Sequence, residues 1–154
     1  MTSTIVEVDF LDPRAVDLRA RMAAEMSGLY GAPRHVGAED IDPASVVSCL
    51  LVLDGETPVG TVSLRRLGDL VEVKRMFLLP QTRGTGLAPR LLAAIEGRAG
   101  AVTDRVVLHT GERQRAAIAL YERSGYRPIE VYPPYDQVPE SVCFAKSLAP
   151  PTTT

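Results

Sequence analysis

The segment VEVKRMFLLPQTRGTGLA, residues Val71–Ala88, decides the fold of this chain. It starts as a β-prone run that ends at Pro80 and continues into a short loop with glycines at positions 84 and 86, where a helical pattern begins at once. Backbone N–H groups at a helix N-terminus bind anions, and glycine lets the backbone approach a ligand closely. Arg83 adds a charged donor suited to phosphate. The segment therefore predicts a phosphate-bearing ligand at a strand–loop–helix junction.

The spacing of the loop excludes two common phosphate sites. A nucleoside-triphosphate loop needs Gly-x-x-x-x-Gly-Lys-Ser/Thr, but Leu87 follows the second glycine and no such lysine is near. The dinucleotide pattern Gly-x-Gly-x-x-Gly fails because Pro89 occupies its last position. What remains is Gln/Arg-x-x-Gly-x-Gly/Ala, matched by Gln81, Gly84 and Gly86. Taken alone, this pattern leaves an ordinary glycine-rich turn open as the alternative.

A second motif makes the pattern more specific. Ala117–Tyr126 reads AIALYERSGY and contains Leu-Tyr-x-x-x-Gly-Tyr, starting at Leu120. With both motifs in this order, the chain resembles the GNAT N-acetyltransferase superfamily from roughly Val59 to Leu148. That superfamily transfers an acetyl group from acetyl-coenzyme A (acetyl-CoA) to an amine, and its loop holds the pyrophosphate of the co-substrate.

The resemblance implies an α/β (α+β) GNAT fold, with a central mixed, mostly antiparallel sheet of about 6–7 strands flanked by about 4 helices. The chain's own signals agree. Asp12-Pro13 and Asp42-Pro43 each predict a helix start. Asp54-Gly55 predicts a hairpin, and a meander of three strands follows from it. A single domain over residues 1–148 is expected, with a disordered tail over 149–154.

Composition narrows the function classes. The chain has 154 residues, a net charge of −2 and 45% apolar residues, which is ordinary for a globular protein. The charge argues against nucleic acid or an anionic membrane as a partner, and the N-terminus lacks a signal-peptide pattern. We therefore expect a cytoplasmic protein. Cys49 and Cys143 lie in apolar runs and are expected to be reduced, buried thiols rather than metal ligands, and no metal site is predicted.

The resemblance assigns co-substrate contacts residue by residue. The backbone of Met76, Phe77 and Leu78 would bind the pantetheine arm between two splayed strands, and a backbone N–H there would meet the thioester oxygen. The loop and helix start would hold the pyrophosphate. The superfamily often has an asparagine where this chain has Gln114, and the longer amide leaves that contact open. The implied co-substrate residues of the loop and helix start are Arg83, Gly84, Thr85, Gly86, Leu87 and Ala88.

Two residues are candidate catalysts. Tyr121 matches the tyrosine that many superfamily members use to protonate the thiolate, and the alternative is a core tyrosine whose hydroxyl is bonded to backbone. Glu72 is the candidate base, on a strand face that alternation shares with Lys74 and Met76. The alternative for Glu72 is a structural carboxylate paired with Lys74, Arg65 or Arg66. His35 and His109 are rival bases.

The acceptor is the least defined part of the prediction. By resemblance, Met26–Val36 and Tyr132–Glu140 would form its cleft together with the sheet, and arginines there hint at a carboxylate on a small amine. A protein lysine or N-terminus as acceptor, a non-catalytic acyl-CoA sensor, and a nucleotide- or nucleic-acid-binding domain remain alternatives, and a homodimer stays open. The candidate acceptor residues are Tyr30, Arg34, Arg65, Tyr132 and Tyr135. An aminoglycoside would need a strongly acidic site, which only Glu39, Asp40, Asp136 and Glu140 could supply.

Overall fold

A computed structural model describes residues 3–31 and 41–149. Seven strands form one sheet in the order β1-β2-β3-β4-β5-β7-β6, and every neighbouring pair is antiparallel except β4 and β5. The elements are β1 Ser3–Val8, α1 Pro13–Tyr30, β2 Val46–Asp54, β3 Thr57–Leu67, β4 Leu70–Leu78, α2 Leu87–Ala99, β5 Arg105–Gly111, α3 Arg115–Arg123, β6 Arg127–Ile129 and β7 Ser141–Ser147. The predicted mixed, mostly antiparallel sheet is confirmed.

The helix count differs slightly from the prediction. The described residues form three α-helices, and Asp42-Pro43 opens only a single 3-10 turn, Pro43–Ser45. The side chain of Asp42 caps that turn as expected, accepting from the N–H of Ala44 at 2.9 Å. The turn ends because β2 begins directly after it with two β-branched valines, which favour a strand over a helix.

The signals at the start of α1 act as predicted. The carboxylate of Asp12 accepts from the N–H of Arg14 at 2.9 Å, and Pro13 occupies the first helical position. The helix ends at Gly31, whose φ of 78° is a left-handed conformation that glycine adopts readily. α1 then packs across β3 and β4.

The main core joins the sheet to both α1 and α2. α1 contributes Ala15 and Leu18. α2 begins directly after the loop glycines, as predicted, and buries Leu87, Leu91, Leu92 and Ile95. A second buried cluster contains Val107, Tyr132, Tyr135, Cys143 and Ala145. Since Val107 pairs with Glu72 on one side and with Ala145 on the other, this cluster covers the face of the sheet that carries Glu72. Both cysteines are buried and free, as expected.

The two central strands part soon after they meet. β4 and β5 pair only at Glu72–Val107 and Val73–Leu108 among the described residues. Beyond that point β4 pairs only with β3, and β5 pairs only with β7. The result is a split in the sheet that opens at Lys74 and widens toward the C-terminal end of β4. The sequence resemblance implied such a splay.

A β-bulge lies on the β4 side of the split. Ser63 pairs with Lys74 and Thr61 with Phe77, so two residues of β3 span three of β4, and Arg75 has a positive φ of 57°. The extra residue changes the alternation. Phe77, and not Met76 as simple alternation predicted, continues the face of Glu72 and Lys74. A non-glycine residue at positive φ is uncommon, which marks the bulge as a special feature of this strand.

Candidate active site

The loop before α2 presents a run of open backbone donors. The N–H groups of Gly84, Thr85, Gly86, Leu87 and Ala88 have no hydrogen-bond partner among residues 3–31 and 41–149. The last two belong to the first turn of α2, where the helix cannot satisfy them internally. Pro89 follows them in that turn and has no N–H to satisfy. Five consecutive N–H groups at the positive end of a helix form a cradle for an anion.

The two loop glycines are required by conformation. Gly84 has a φ of 80° and Gly86 a φ of 81°, values that L side chains rarely adopt. A Cβ added at either position would meet nothing within 4 Å. The space beside both glycines is therefore open, which leaves room for a ligand against the backbone.

Arg83 is placed differently from the rest of the loop. Its N–H donates to the carbonyl of Pro80 at 3.2 Å, which closes the preceding 3-10 turn. Its guanidinium donates to both carboxylate oxygens of Glu25 on α1, at 2.9 and 3.0 Å, and to the carbonyl of Leu78 at 3.1 Å. The group predicted to bind phosphate thus ties the loop to α1 and β4, and the open cradle begins at Gly84.

Tyr121 lies close to the branch point of the split. Its ring packs against Phe144, with ring centroids 6.3 Å apart, and Phe144 pairs with Leu108, the last residue of β5 that pairs with β4. The ring is in the core, and burial raises the pKa of its phenol to about 12. Its hydroxyl has no hydrogen-bond partner within the described part of the chain. The alternative interpretation, a core tyrosine, predicted a hydrogen bond between this hydroxyl and the backbone, and the described residues contain no such bond.

Two further predicted residues meet at the end of β5. Gln114 is the N-cap residue of α3, and its side chain makes no capping hydrogen bond. Its Nε2 lies 3.4 Å from the position that a Cβ on Gly111 would take, and the hydroxyl of Tyr30 lies 1.7 Å from that same position. A side chain at position 111 would collide with the end of the Tyr30 side chain and force it to move. The C-terminal end of α1 therefore closes over the end of β5.

A buried polar cluster around Glu72 lies on the face of the sheet opposite Tyr121. Glu72 is fully buried and accepts from Arg65 Nε at 2.8 Å and from the Tyr132 hydroxyl at 2.6 Å. The Tyr135 hydroxyl donates to Glu72 at 3.3 Å and accepts from Arg65 at 3.0 Å. Burial and the neighbouring carboxylate raise the pKa of both tyrosines above the ordinary range. Three of the predicted acceptor residues thus converge on the predicted base.

This cluster also contains Lys74, which the sequence offered only as a possible ion-pair partner of Glu72, and His109, which it offered as a rival base. Lys74 donates to the Tyr135 hydroxyl at 2.6 Å, and its ammonium lies 4.5 Å from the centre of that ring. The imidazole of His109 stacks on the Tyr135 ring, with centroids 3.7 Å apart, and its Nε2 lies 2.9 Å from Ser141 Oγ. Tyr135 therefore contacts both a cation and an imidazole. The signal available in the sequence was the pair of charged residues Glu72 and Lys74 on one face of β4.

Several predicted residues fall outside the described ranges. Arg34, His35, Glu39 and Asp40 lie within residues 32–40, so the part of the acceptor cleft expected from Met26–Val36 is described only through Gly31. Among residues 3–31 and 41–149, no group of three or more His, Cys, Asp or Glu is placed to hold a metal ion. The same ranges contain no helix that is long and apolar enough to cross a membrane.

Comparison with known proteins identifies the class to which this arrangement belongs. The sequence profile of the Acetyltransferase (GNAT) family matches residues 15–126. A solved structure from Klebsiella pneumoniae, provisionally classed as an acyl-CoA N-acyltransferase, is 30% identical with a TM-score of 0.81, over 96% of this chain and 99% of that one. The chain belongs to the GNAT acetyltransferase family, which confirms the class predicted from the two motifs.

Two further relatives are informative. An IAA acetyltransferase of Azospirillum brasilense is 37% identical over 58% of this chain, and the match spans 59% of that protein's length. A GNAT family acetyltransferase of Elizabethkingia anophelis, solved with acetyl-CoA bound, has a TM-score of 0.69 over 95% of this chain and 98% of that one. At 17% identity, this second likeness concerns the fold alone.

Proposed function

We propose that this chain transfers the acetyl group of acetyl-CoA to a primary amine of a small molecule, by direct attack within a complex of enzyme, acetyl-CoA and amine. The observation that carries the proposal is the cradle of five open N–H groups at Gly84–Ala88, at the end of the strand that borders the split. The fold is shared with a protein solved with acetyl-CoA bound. A pyrophosphate in the cradle would accept from backbone donors and lie at the positive end of α2.

The pantetheine arm would occupy the split. Among the described residues, β4 beyond Val73 pairs with β3 on one side only, so the edge formed by Met76, Phe77 and Leu78 faces β5 without a bridge to it. An extended arm running from the cradle toward the closed end of the split would add itself to that edge as a strand does. Its thioester would then lie toward Lys74, where the split begins. Gln114 and Tyr30 border the split from the β5 side.

The chemistry requires three contributions from the protein. Attack of the amine nitrogen forms the C–N bond and breaks the C–S bond, so the developing oxyanion needs a donor, the amine must lose a proton and the leaving sulfur must gain one. A backbone N–H of the β4 edge would serve as the donor. This contribution does not depend on the side chains of Met76 or Leu78.

Tyr121 would return the proton to sulfur. Its hydroxyl is available because it has no partner in the described residues, and at a pKa of about 12 it stays protonated at neutral pH. A thiol has an ordinary pKa near ~8.5, and burial raises it as it raises that of the phenol. The same desolvation that weakens the tyrosine as an acid therefore makes the thiolate a stronger base.

The amine proton has two assignments. Glu72 could accept it, as the resemblance implied, but both of its carboxylate oxygens already accept from Arg65, Tyr132 and Tyr135. An amine could reach Glu72 only if one of these donors moved away. The contacts therefore favour the structural alternative, in which Glu72 fixes the two tyrosines. The ammonium form of the acceptor would lose one proton to solvent before it attacks. The second proton, released from nitrogen after the C–N bond forms, would pass to solvent, and Tyr121, having protonated the sulfur, would regain its proton from solvent.

A thiol-release assay with acetyl-CoA and a panel of amines tests this function. We expect release that depends on the amine, with a small amine preferred over lysine-containing or N-terminal peptides. Release with peptides alone would support the protein-directed alternative. Binding of acetyl-CoA without release under any amine would support a sensor, and binding of ATP or oligonucleotide in its place would contradict the proposal.

A further inference from the structure

The ammonium of Lys74 is buried and forms no direct ion pair with a carboxylate of the described residues, although Glu72 is near enough to act on it electrostatically. The side chain is 7% exposed, and Tyr135 is its only hydrogen-bond partner among residues 3–31 and 41–149. An ammonium has three N–H donors, so two of them lack an acceptor in that part of the chain. Buried cations are normally paired, because removing an ionised group from water costs several kcal/mol. Lys74 is an exception that calls for a partner.

A second buried group on the same face also lacks a partner. Ser63 pairs directly with Lys74 across β3 and β4, so the two side chains project from the same face of the sheet. The Ser63 hydroxyl is buried and has no hydrogen-bond partner in the described residues. A hydroxyl and an ammonium that project from the same face can both donate to one acceptor bound between them. The group that suits both best is a carboxylate.

The net charge of the cluster also favours a carboxylate ligand. Arg65 and Lys74 are cations, and Glu72 is the only carboxylate of the described residues that is hydrogen-bonded to either. These three buried side chains therefore carry one net positive charge. An amino acid that is ready to attack has a neutral amine and an ionised carboxylate, so it carries one negative charge. Its binding would make the buried site neutral. A polyamine or an aminoglycoside would instead add positive charge to a site that already has an excess.

The position of Lys74 fits an acceptor site. Lys74 is the first residue of β4 beyond the last β4–β5 pair, so it lies at the closed end of the split, toward which the thioester is directed under the proposed function. A carboxylate held there would keep an amine a few bonds away within reach of the acyl carbon. Restricting the amine in this way is how positioning groups accelerate a reaction between two substrates.

We infer that the acceptor is an amine that carries a carboxylate, of the amino-acid class, and that Lys74 and Ser63 bind this carboxylate. The inference rests on the proposed function, because it names the substrate class of the same site. Arg65, by contrast, is committed to Glu72 and Tyr135. It acts as a positioning residue for the tyrosines and does not contact the substrate.

The test compares acceptors that differ only in the carboxylate. L-amino acids, their α-amides and the corresponding decarboxylated amines are assayed by thiol release with acetyl-CoA. We expect kcat/KM to be about 10- to 100-fold higher for the best amino acid than for its amide, the range of a charge-assisted hydrogen bond. Lys74→Met should remove this preference by raising KM for the amino acid, with little change for the amide. Arg21→Met, which removes an exposed cation of α1, should leave both values unchanged.

A second variant covers the case in which Lys74→Met does not fold. Ser63→Ala removes only a hydroxyl that has no partner in the described residues, and we expect it to raise KM for the amino acid several-fold while the melting temperature holds. Equal kcat/KM for amino acid and amide in the wild type, or an unchanged preference in Ser63→Ala and Lys74→Met, would overturn the inference. Either result would leave the proposed function intact. Failure of every amine to release thiol would instead contradict the proposed function itself.

Discussion

Val73 of β4 pairs with Leu108 of β5, and among the described residues no pair joins these strands beyond it. This relationship fixes the geometry of the site. The open edge of β4 begins one residue later, at Lys74, and leads to the N–H cradle at Gly84–Ala88. Tyr121 packs near Leu108 on one face of the sheet, and Lys74 lies on the opposite face.

Tyr121→Phe removes one hydroxyl from the buried ring. We expect turnover to fall by about 10²- to 10⁴-fold, the usual contribution of general acid–base catalysis, while the affinity for coenzyme A measured by calorimetry stays the same. Tyr126→Phe is the matched control, because that neighbouring hydroxyl donates to Glu96 at 2.9 Å and has no proposed role in catalysis. Equal turnover in Tyr121→Phe and wild type would return Tyr121 to a purely structural role.

Glu72→Gln separates the two assignments of the buried carboxylate. Its ion pair with Arg65 is buried on both sides, and breaking such a pair costs about 3–5 kcal/mol. We therefore expect a lower free energy of unfolding in urea and a pH–rate profile of unchanged shape. Glu96→Gln changes a more exposed carboxylate, paired with Lys146, and should lower the free energy of unfolding by less. A near-normal stability with a rate that recovers at high pH would assign Glu72 as the base.

Lys74→Met tests the cost of the buried ammonium. Burial is the largest cause that lowers the pKa of Lys74, and the nearby cations Arg75 and Arg65 lower it as well. Glu72 raises it, and the combined effect is a fall from 10.5 to about 8. Between pH 8 and 10.5 the unfolded chain binds more protons at this position than the folded chain, so the wild type gains stability as the pH rises through that window. The full penalty, on the order of 3 kcal/mol, is present below pH 8.

The variant lacks this penalty but also lacks the hydrogen bond to Tyr135, worth about 1 kcal/mol. We expect Lys74→Met to exceed the wild type in free energy of unfolding by about 2 kcal/mol at pH 7, and to lose this advantage by pH 10.5. The titratable groups that act on Lys74 are unchanged in the variant: Glu72, Arg75, Arg65 and Cys143. A variant less stable than the wild type at both pH values would show that Lys74 stabilises the empty site.

Local backbone signals explain which parts of the fold were predictable. The starts of α1 and α2 followed from Asp12-Pro13 and from Gly86, because a capping carboxylate, proline and a glycine at positive φ act within a few residues. The same signal at Asp42 gave only a 3-10 turn, since the valines after it compete for a strand. The open N–H groups lie in the loop that the glycine spacing singled out, and their binding of a pyrophosphate stays a prediction.

The polar cluster depends on distant parts of the chain and was only partly predictable. Lys74 and Tyr135 are 61 positions apart, and their contact depends on the fold of the loop before β7. The bulge at Arg75 reverses the alternation that had placed Met76 on the face of Glu72. No glycine lies at the bulge, so the sequence contains no local signal for it. Pairwise register and bulges are set by tertiary packing, so period-two alternation could not reveal them.

Binding of coenzyme A to glycine variants tests the central claim most directly. Gly86→Asp places a side chain and a negative charge in the cradle, and Gly55→Asp makes the same substitution at a hairpin glycine that also has positive φ and open space around it. By calorimetry, we predict that the wild type and Gly55→Asp bind coenzyme A with similar affinity and that Gly86→Asp loses most of it. Unchanged affinity in a folded Gly86→Asp would contradict the claim that this loop holds the pyrophosphate.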